Sequence, residues 1–206
     1  MPRSHLCTNL AAPFAIAMVV AFGSGSAAAQ ATSPPAVADS IPGISSPSPL
    51  QPGDAFGETV TLPERTVVSI KGRSNWDNAF ETLVDAFKSL NEYLAKAGLK
   101  PNGSFLTIYT ETDDTGFSFL AAAPIAKAPA NLPKGDIAVG QAPAGKALKF
   151  VHRGSYDAMD STYEAITNYL DEKQLDAKDL FIEEYTTDPV KSDPNKLVIN
   201  VYVPVK

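Results

Sequence analysis

The sequence predicts an α+β fold built from a strand–helix–strand–strand module that occurs twice. The two copies would form one antiparallel sheet with two main helices on one face and a ligand groove between the halves. Three observations lead there. The hydrophobic period changes from strand-like to helix-like and back, twice along the chain. The two passages register at a separation of 76 residues, where Tyr93, Leu94, Leu99 and Tyr109 fall on Tyr169, Leu170, Leu175 and Tyr185. Finally, 206 residues with 44% hydrophobic and 19% charged side chains suit one domain with a real core.

The first module spans about 58–125. Val67, Val68 and Ile70 lie in a β-branched run that reads as a strand. Phe80, Leu83, Phe87, Leu90 and Leu94 then recur at helical spacing as one apolar stripe, and Gly98 suits the C-terminal cap. Ser104–Thr110 and Gly116–Ala122 read as strands joined by the turn formers Asp113-Asp114-Thr115-Gly116. A connector with Pro124, Pro129, Pro133 and Pro143 follows. The second module spans about 137–206, with strands at Ala147–His152, Leu180–Thr186 and Leu197–Val203. Its helix begins after Gly154-Ser155-Tyr156-Asp157 and buries Met159, Tyr163, Ile166 and Leu170. Helices on one face of such a sheet leave a groove between the halves as the place for a ligand.

Composition excludes several function classes. The net charge is −6 and Lys and Arg do not cluster, which argues against a nucleic-acid partner. One cysteine excludes a disulfide framework and a thiolate metal site, and His5 and His152 make no cluster. No metal spacing or phosphate-cradling glycine loop is present, so no cofactor is expected. Residues 1–29 read as a secretory signal peptide: Arg3 and His5, the apolar run Leu10–Phe22, then Ala27-Ala28-Ala29 as the cleavage pattern. That run is too short for a stable bilayer anchor, so the mature chain is expected to be exported, to a bacterial periplasm, with no membrane association. Residues 30–57 are poor in charge and rich in Pro, Ser and Ala, which predicts a disordered linker up to Glu58.

Alternation along Leu180–Thr186 puts Phe181, Glu183 and Tyr185 on one sheet face and Leu180, Ile182 and Glu184 on the other. Either face could line the groove on this pattern alone. His152 beside Ser155 lacks the orienting partner and the G-x-S-x-G signature of a nucleophile–base pair, so it reads as a packing residue. Asn102-Gly103-Ser104 matches a glycosylation sequon at a tight turn, and no weight falls on it in a chain with a bacterial leader.

The second copy resembles the GyrI-like small-molecule-binding domain, the effector-binding domain of bacterial transcription activators. The resemblance rests on Ala144–Asp157 (AGKALKFVHRGSYD), on Glu183–Pro189 with its E-x-Y…DP pattern, and on Val201–Val205 (VYVPV). In the first copy VTLPERTVVSIKG resembles the family's opening strand. The resemblance implies the duplicated fold and a hydrophobic or cationic small molecule held between the halves, with a buried glutamate that maps onto Glu183. It thereby selects the Phe181–Glu183–Tyr185 face. Tyr185 and Tyr156 become hydroxyl donors and aromatic walls, Trp76 would close one end, and Tyr109, Phe117 and Phe119 would line the first-copy wall. Thr107 matches Glu183 in register, so the pocket would be chemically one-sided. Export and the absence of a helical DNA-binding segment set this chain apart from the family's regulators.

The leading expectation is therefore an exported binding protein with Glu183 as polar anchor. A carboxylate between aromatic walls is partly desolvated, so it serves either as counter-charge to a cation or as a general acid–base. The second use makes a hydrolase the alternative, with Glu183 as acid–base and Tyr185 assisting. A protein-interaction module is the third, because one family member inhibits gyrase.

Overall fold

Pro63 decides how the chain enters the sheet. A proline cannot donate to a strand ladder. The expected opening strand is accordingly two strands in the computed structural model, which describes residues 51–129, 133 and 135–206. β1 (Phe56–Leu62) ends just before Pro63, and β2 (Thr66–Asn75) starts three residues after it. After a single turn at Trp76–Asn78 the chain runs through α1 (Ala79–Lys96), β3 (Phe105–Asp113) and β4 (Gly116–Pro124). The second half repeats the order: β5 (Ile137–Gln141), β6 (Gly145–Gly154), a turn at Tyr156–Ala158, α2 (Met159–Lys173), β7 (Phe181–Tyr185) and β8 (Leu197–Pro204). β5 falls in what the composition marks as connector, and its pairing with β2 is what gives it strand form.

The eight strands form one antiparallel sheet in the order β1-β6-β8-β7-β3-β4-β2-β5. The order reads the same from either end once the copies are exchanged. The leading strand of each copy crosses to the other copy's edge, β1 onto β6 and β5 onto β2. At the centre β3 and β7 pair across the pseudo-twofold axis, with Phe105 opposite Tyr185, Thr107 opposite Glu183 and Tyr109 opposite Phe181. Thr107 and Glu183, equivalent in the duplication, thus face each other directly.

Both helices lie on one face. Leu83, Phe87, Leu90 and Leu94 of α1 and Met159, Ile166 and Leu170 of α2 are buried against Val68, Phe117, Phe119, Tyr185, Ile199 and Val201. Two expected stripe residues, Phe80 and Tyr163, are only partly buried and turn toward the space between the helices. The helices end in the same way. Leu99 N–H bonds to Leu94 C=O across Gly98, and Leu175 N–H bonds to Leu170 C=O across Gln174, at 2.9 Å in each case. Gly98 has φ +64°, whereas Gln174 adopts the left-handed conformation with a side chain.

The linker expected to reach residue 57 ends sooner. Asp54 makes a two-pronged ion pair with Arg153 of β6, both contacts at 2.7 Å, and Ala55 C=O accepts from Val151 N–H. These contacts order the chain ahead of Glu58. Residues 1–50, which hold the expected leader and most of the expected linker, lie outside the described residues. Among the described residues no helix is long and apolar enough to cross a membrane, and no His, Cys, Asp and Glu group is placed to hold a metal ion.

Two predictions follow from these contacts. A left-handed residue with a Cβ costs roughly 1 kcal/mol more than glycine. Gln174→Gly should therefore raise the melting temperature by about 2–5 °C, while Gly98→Ala lowers it. The Arg153 hydrogen bond holds the Asp54 carboxyl down at about 2, against an ordinary 3.8. A depressed carboxyl stabilises above its unfolded value and loses that contribution as pH falls through the folded one. The stability gap between the native chain and Asp54→Asn should therefore be full at pH 5 and vanish toward pH 2. A gap that does not change with pH would show that the ion pair is not its source.

Candidate ligand-binding site

Alternation along β7 turns Glu183 toward the helices and Glu184 away from them, and the two neighbours meet opposite environments. Glu184 accepts from Arg65 at 2.7 Å, Tyr202 at 2.7 Å and Asn200 at 3.2 Å. Burial raises its pKa, but Arg65 and the other donors outweigh that and hold it below the ordinary range. Glu183 is fully buried, and its recorded partners are all phenols. Tyr109 and Tyr163 donate to Oε1 at 2.9 Å each, and Tyr185 donates to Oε2 at 2.7 Å. Burial raises the Glu183 pKa, and the three hydroxyl bonds offset this only in part. Burial, reinforced by the charge of Glu183, pushes the phenols of Tyr109, Tyr156, Tyr163 and Tyr185 well above their ordinary value.

Tyr156 joins the cluster at one remove, its hydroxyl 2.9 Å from that of Tyr109. Since Tyr109 has one proton and gives it to Glu183, Tyr156 is the donor in this pair. The order is Tyr156 to Tyr109 to Glu183.

Above the cluster, between the N-terminal ends of α1 and α2, opens a cavity of about 870 Å³. Trp76 and Phe80 line it from the first copy, Tyr156 and Tyr163 from the second, with Tyr109 and Phe181 in the floor. Phe80 stacks on Tyr156 across the gap, ring centres 5.0 Å apart and planes at 24°. Trp76 packs on Phe117 at 4.9 Å and donates from Nε1 to Asp113 C=O. The rim is acidic: Asp77, Glu81, Asp113, Asp114, Asp157 and Asp160 border the cavity, and among the described residues no Lys or Arg does. Four of these stand in first turns at the two helix entries, where acidic side chains complement the helix N-terminus. Each N-terminus amounts to roughly half a positive charge, so four carboxylates leave the mouth negative. Arg73 approaches only Asp113, at 3.6 Å with both side chains exposed.

Of the residues singled out from sequence, Trp76, Tyr109, Tyr156 and Phe181 border the cavity. Glu183 and Tyr185 lie beneath its floor and do not reach the surface. Phe119 is elsewhere: it covers Gly72, where an added Cβ would run into its ring, and it belongs to the core beneath the helices. Phe117 backs Trp76 and does not line the space. Sequence reasoning missed Phe80 and Tyr163 as site residues because both fit a helical stripe. The phenol of Tyr163 in an otherwise aliphatic run was the one available signal. His152 is occupied on both ring nitrogens, Nε2 with Ser155 C=O at 3.0 Å and Nδ1 with Thr162 Oγ1 at 2.8 Å. The carbonyl can only accept, so the network assigns the proton to Nε2, and His152 is a tie between β6 and α2.

A duplicated sheet with an aromatic cavity between its halves is a small-molecule-binding architecture. A family model for the GyrI-like small molecule binding domain matches residues 58–206, and the chain belongs to that family. No curated protein matches it. Among solved structures the fold is similar to EcmrR in its DNA complex, at TM-score 0.62 and 18% identity over 72% of this chain and 56% of that one. The chain thus spans a little over half the length of EcmrR. It is also similar to SAV2435 bound to tetraphenylphosphonium (TM-score 0.51, 20% identity, 72% and 93% covered). A third is a hydrolase from Listeria innocua (TM-score 0.52, 13% identity, 72% and 91% covered). At these identities the likeness is one of fold.

Because the folded pKa of Glu183 is raised, its ionisation in the native state costs stability. Above its ordinary value of 4.5 the unfolded chain is ionised more readily than the folded one. The native chain should therefore lose stability relative to Glu183→Gln as pH rises from 4.5 toward neutrality, as followed by thermal melting. A gap that stays constant or moves the other way would mean that the carboxyl is not held up by burial.

Proposed function

We propose that this domain is an exported binding module for a lipophilic, aromatic cation. One observation supports the reading above others: a buried carboxylate with no basic partner among the described residues, set under an aromatic cavity bordered by six carboxylates and, among the described residues, by no Lys or Arg. A site of this kind lacks a counter-charge, and the ligand supplies it. Cation–π contact with the rings of Trp76, Tyr109 and Tyr156 would contribute ~0.5–2 kcal/mol each when desolvated. Glu183 anchors the charge through the phenols above it, which polarise toward it. The tetraphenylphosphonium carried by SAV2435 is a cation of this class on a similar fold, which agrees with the reading. Export rests on the leader pattern at Leu10–Ala29 and places the module outside the cytoplasm.

The hydrolase alternative requires a carboxylate or phenol at the reacting atoms. Glu183 is fully buried beneath the phenols and Tyr185 does not border the cavity, so the assignment of those two residues as acid–base and assistant is not supported by the site as it stands.

The test uses residues 30–206 with tetraphenylphosphonium and with triphenylphosphine oxide, a neutral molecule of similar shape. A ligand at a hundred times its dissociation constant adds ~2.7 kcal/mol, readily seen as a melting shift. Tetraphenylphosphonium should shift the melting point and quench Trp76 fluorescence, the oxide should do neither, and Glu183→Gln should weaken the cation by about tenfold. Equal shifts for both compounds, or none for either, would overturn the proposal.

A further inference from the structure

The cluster under the cavity has a fixed hydrogen-bond polarity. Each phenol has one proton and two lone pairs. A carboxylate can only accept, so Tyr109 and Tyr163 send their protons down to Oε1, and Tyr185 sends its own to Oε2. Tyr156 in turn spends its proton on Tyr109. Tyr109, Tyr156 and Tyr163 all border the cavity, and each has its one proton committed within the cluster, so that toward a ligand its oxygen can only accept. Most other polar side chains of the lining run the same way. Six carboxylates accept only, and the indole N–H of Trp76 is spent on Asp113 C=O. Asn78 already uses one amide proton on Asn75, which leaves its second and the Thr112 hydroxyl as the side-chain donors of the lining.

We propose that the cavity selects cations bearing an N–H donor, protonated amines, over quaternary cations of the same shape, because Glu183 turns every cavity-facing phenol into an acceptor. The inference rests on the cation-binding reading above and adds the chemistry of the cationic group. Glu183 is then a positioning residue. It never meets the ligand, yet it sets the direction of the hydroxyl dipoles that do. The amine N–H would reach the Tyr163 or Tyr156 oxygen while its aryl part occupies the Trp76 and Phe80 side. The asymmetry follows the duplication, since the second copy supplies Tyr156, Tyr163 and Glu183, whereas the first supplies Trp76, Phe80 and Thr107 beside the single phenol of Tyr109.

The test compares dimethyl(naphthylmethyl)ammonium with its trimethyl counterpart, equal in charge and nearly so in size, by calorimetry and Trp76 fluorescence on residues 30–206 at pH 7. Desolvation alone favours the quaternary ion, which is less strongly hydrated, so a preference for the amine reports the acceptor floor. The protonated amine should bind about tenfold tighter. In Glu183→Gln an NH2 with two protons replaces one acceptor oxygen, so the phenols it meets must accept and turn their own protons elsewhere, and the preference should fall. Tyr163→Phe, which leaves the carboxylate in place, should reduce the preference and retain binding of the quaternary ion. Equal affinities, or tighter binding of the quaternary ion, in the native chain would overturn this inference and leave the cation reading standing. Binding of neither overturns both.

Discussion

A carboxylate buried without a cation is the constraint around which the site is arranged. Moving a carboxylate out of water costs several kcal/mol unless charge or hydrogen bonds compensate. Glu184, one residue along, meets that cost with Arg65. Glu183 meets it with three phenols, each of which must keep its hydroxyl within bonding distance. Those phenols come from β3, α2 and β7, so the carboxylate ties together both copies and the helix that covers one of them. Its proton affinity, the position of α2 and the chemistry of the cavity are therefore one problem.

The duplication explains why the site sits where it does. An antiparallel sheet with internal pseudo-twofold symmetry has its axis between two equivalent strands, here β3 and β7. The helices pack on one face, and their entry turns border a space over the central pair. The equivalent turns bring Trp76-Asp77 to one lip and Tyr156-Asp157 to the other. Symmetry makes the groove, and departures from it give the groove a polar end. Thr107 opposite Glu183 is the clearest departure, and the phenol of Tyr163 on α2 is another.

The pairing of leading strands also has a mechanical result. β1 belongs to the first copy by sequence and to the second by hydrogen bonding, and β5 does the reverse. Neither half completes its sheet without the other. The Asp54–Arg153 pair extends that exchange to the residues before β1.

Much of this was legible in the residues. The stripes of Leu83, Phe87, Leu90 and Leu94 and of Met159, Ile166 and Leu170, the turn at Asp113–Gly116 and the 76-residue repeat are local patterns, and local patterns determine helix, strand and order. The period-two alternation of β7 also determined that Glu183 and Glu184 part company. What alternation cannot say is what waits on each side, because that depends on contacts from distant elements. Phe80 and Tyr163 obey the helical period and still leave the core, since at the helix entries they border the cavity. Phe119 obeys the strand period and still misses the cavity, since the absent side chain of Gly72 opens a place for its ring. The strand character of β5 and the early end of the linker likewise come from partners on the opposite copy. Sequence determined the elements and the chemistry they carry; only the tertiary structure decided that the glutamate would lie beneath the phenols and not in the lining of the cavity.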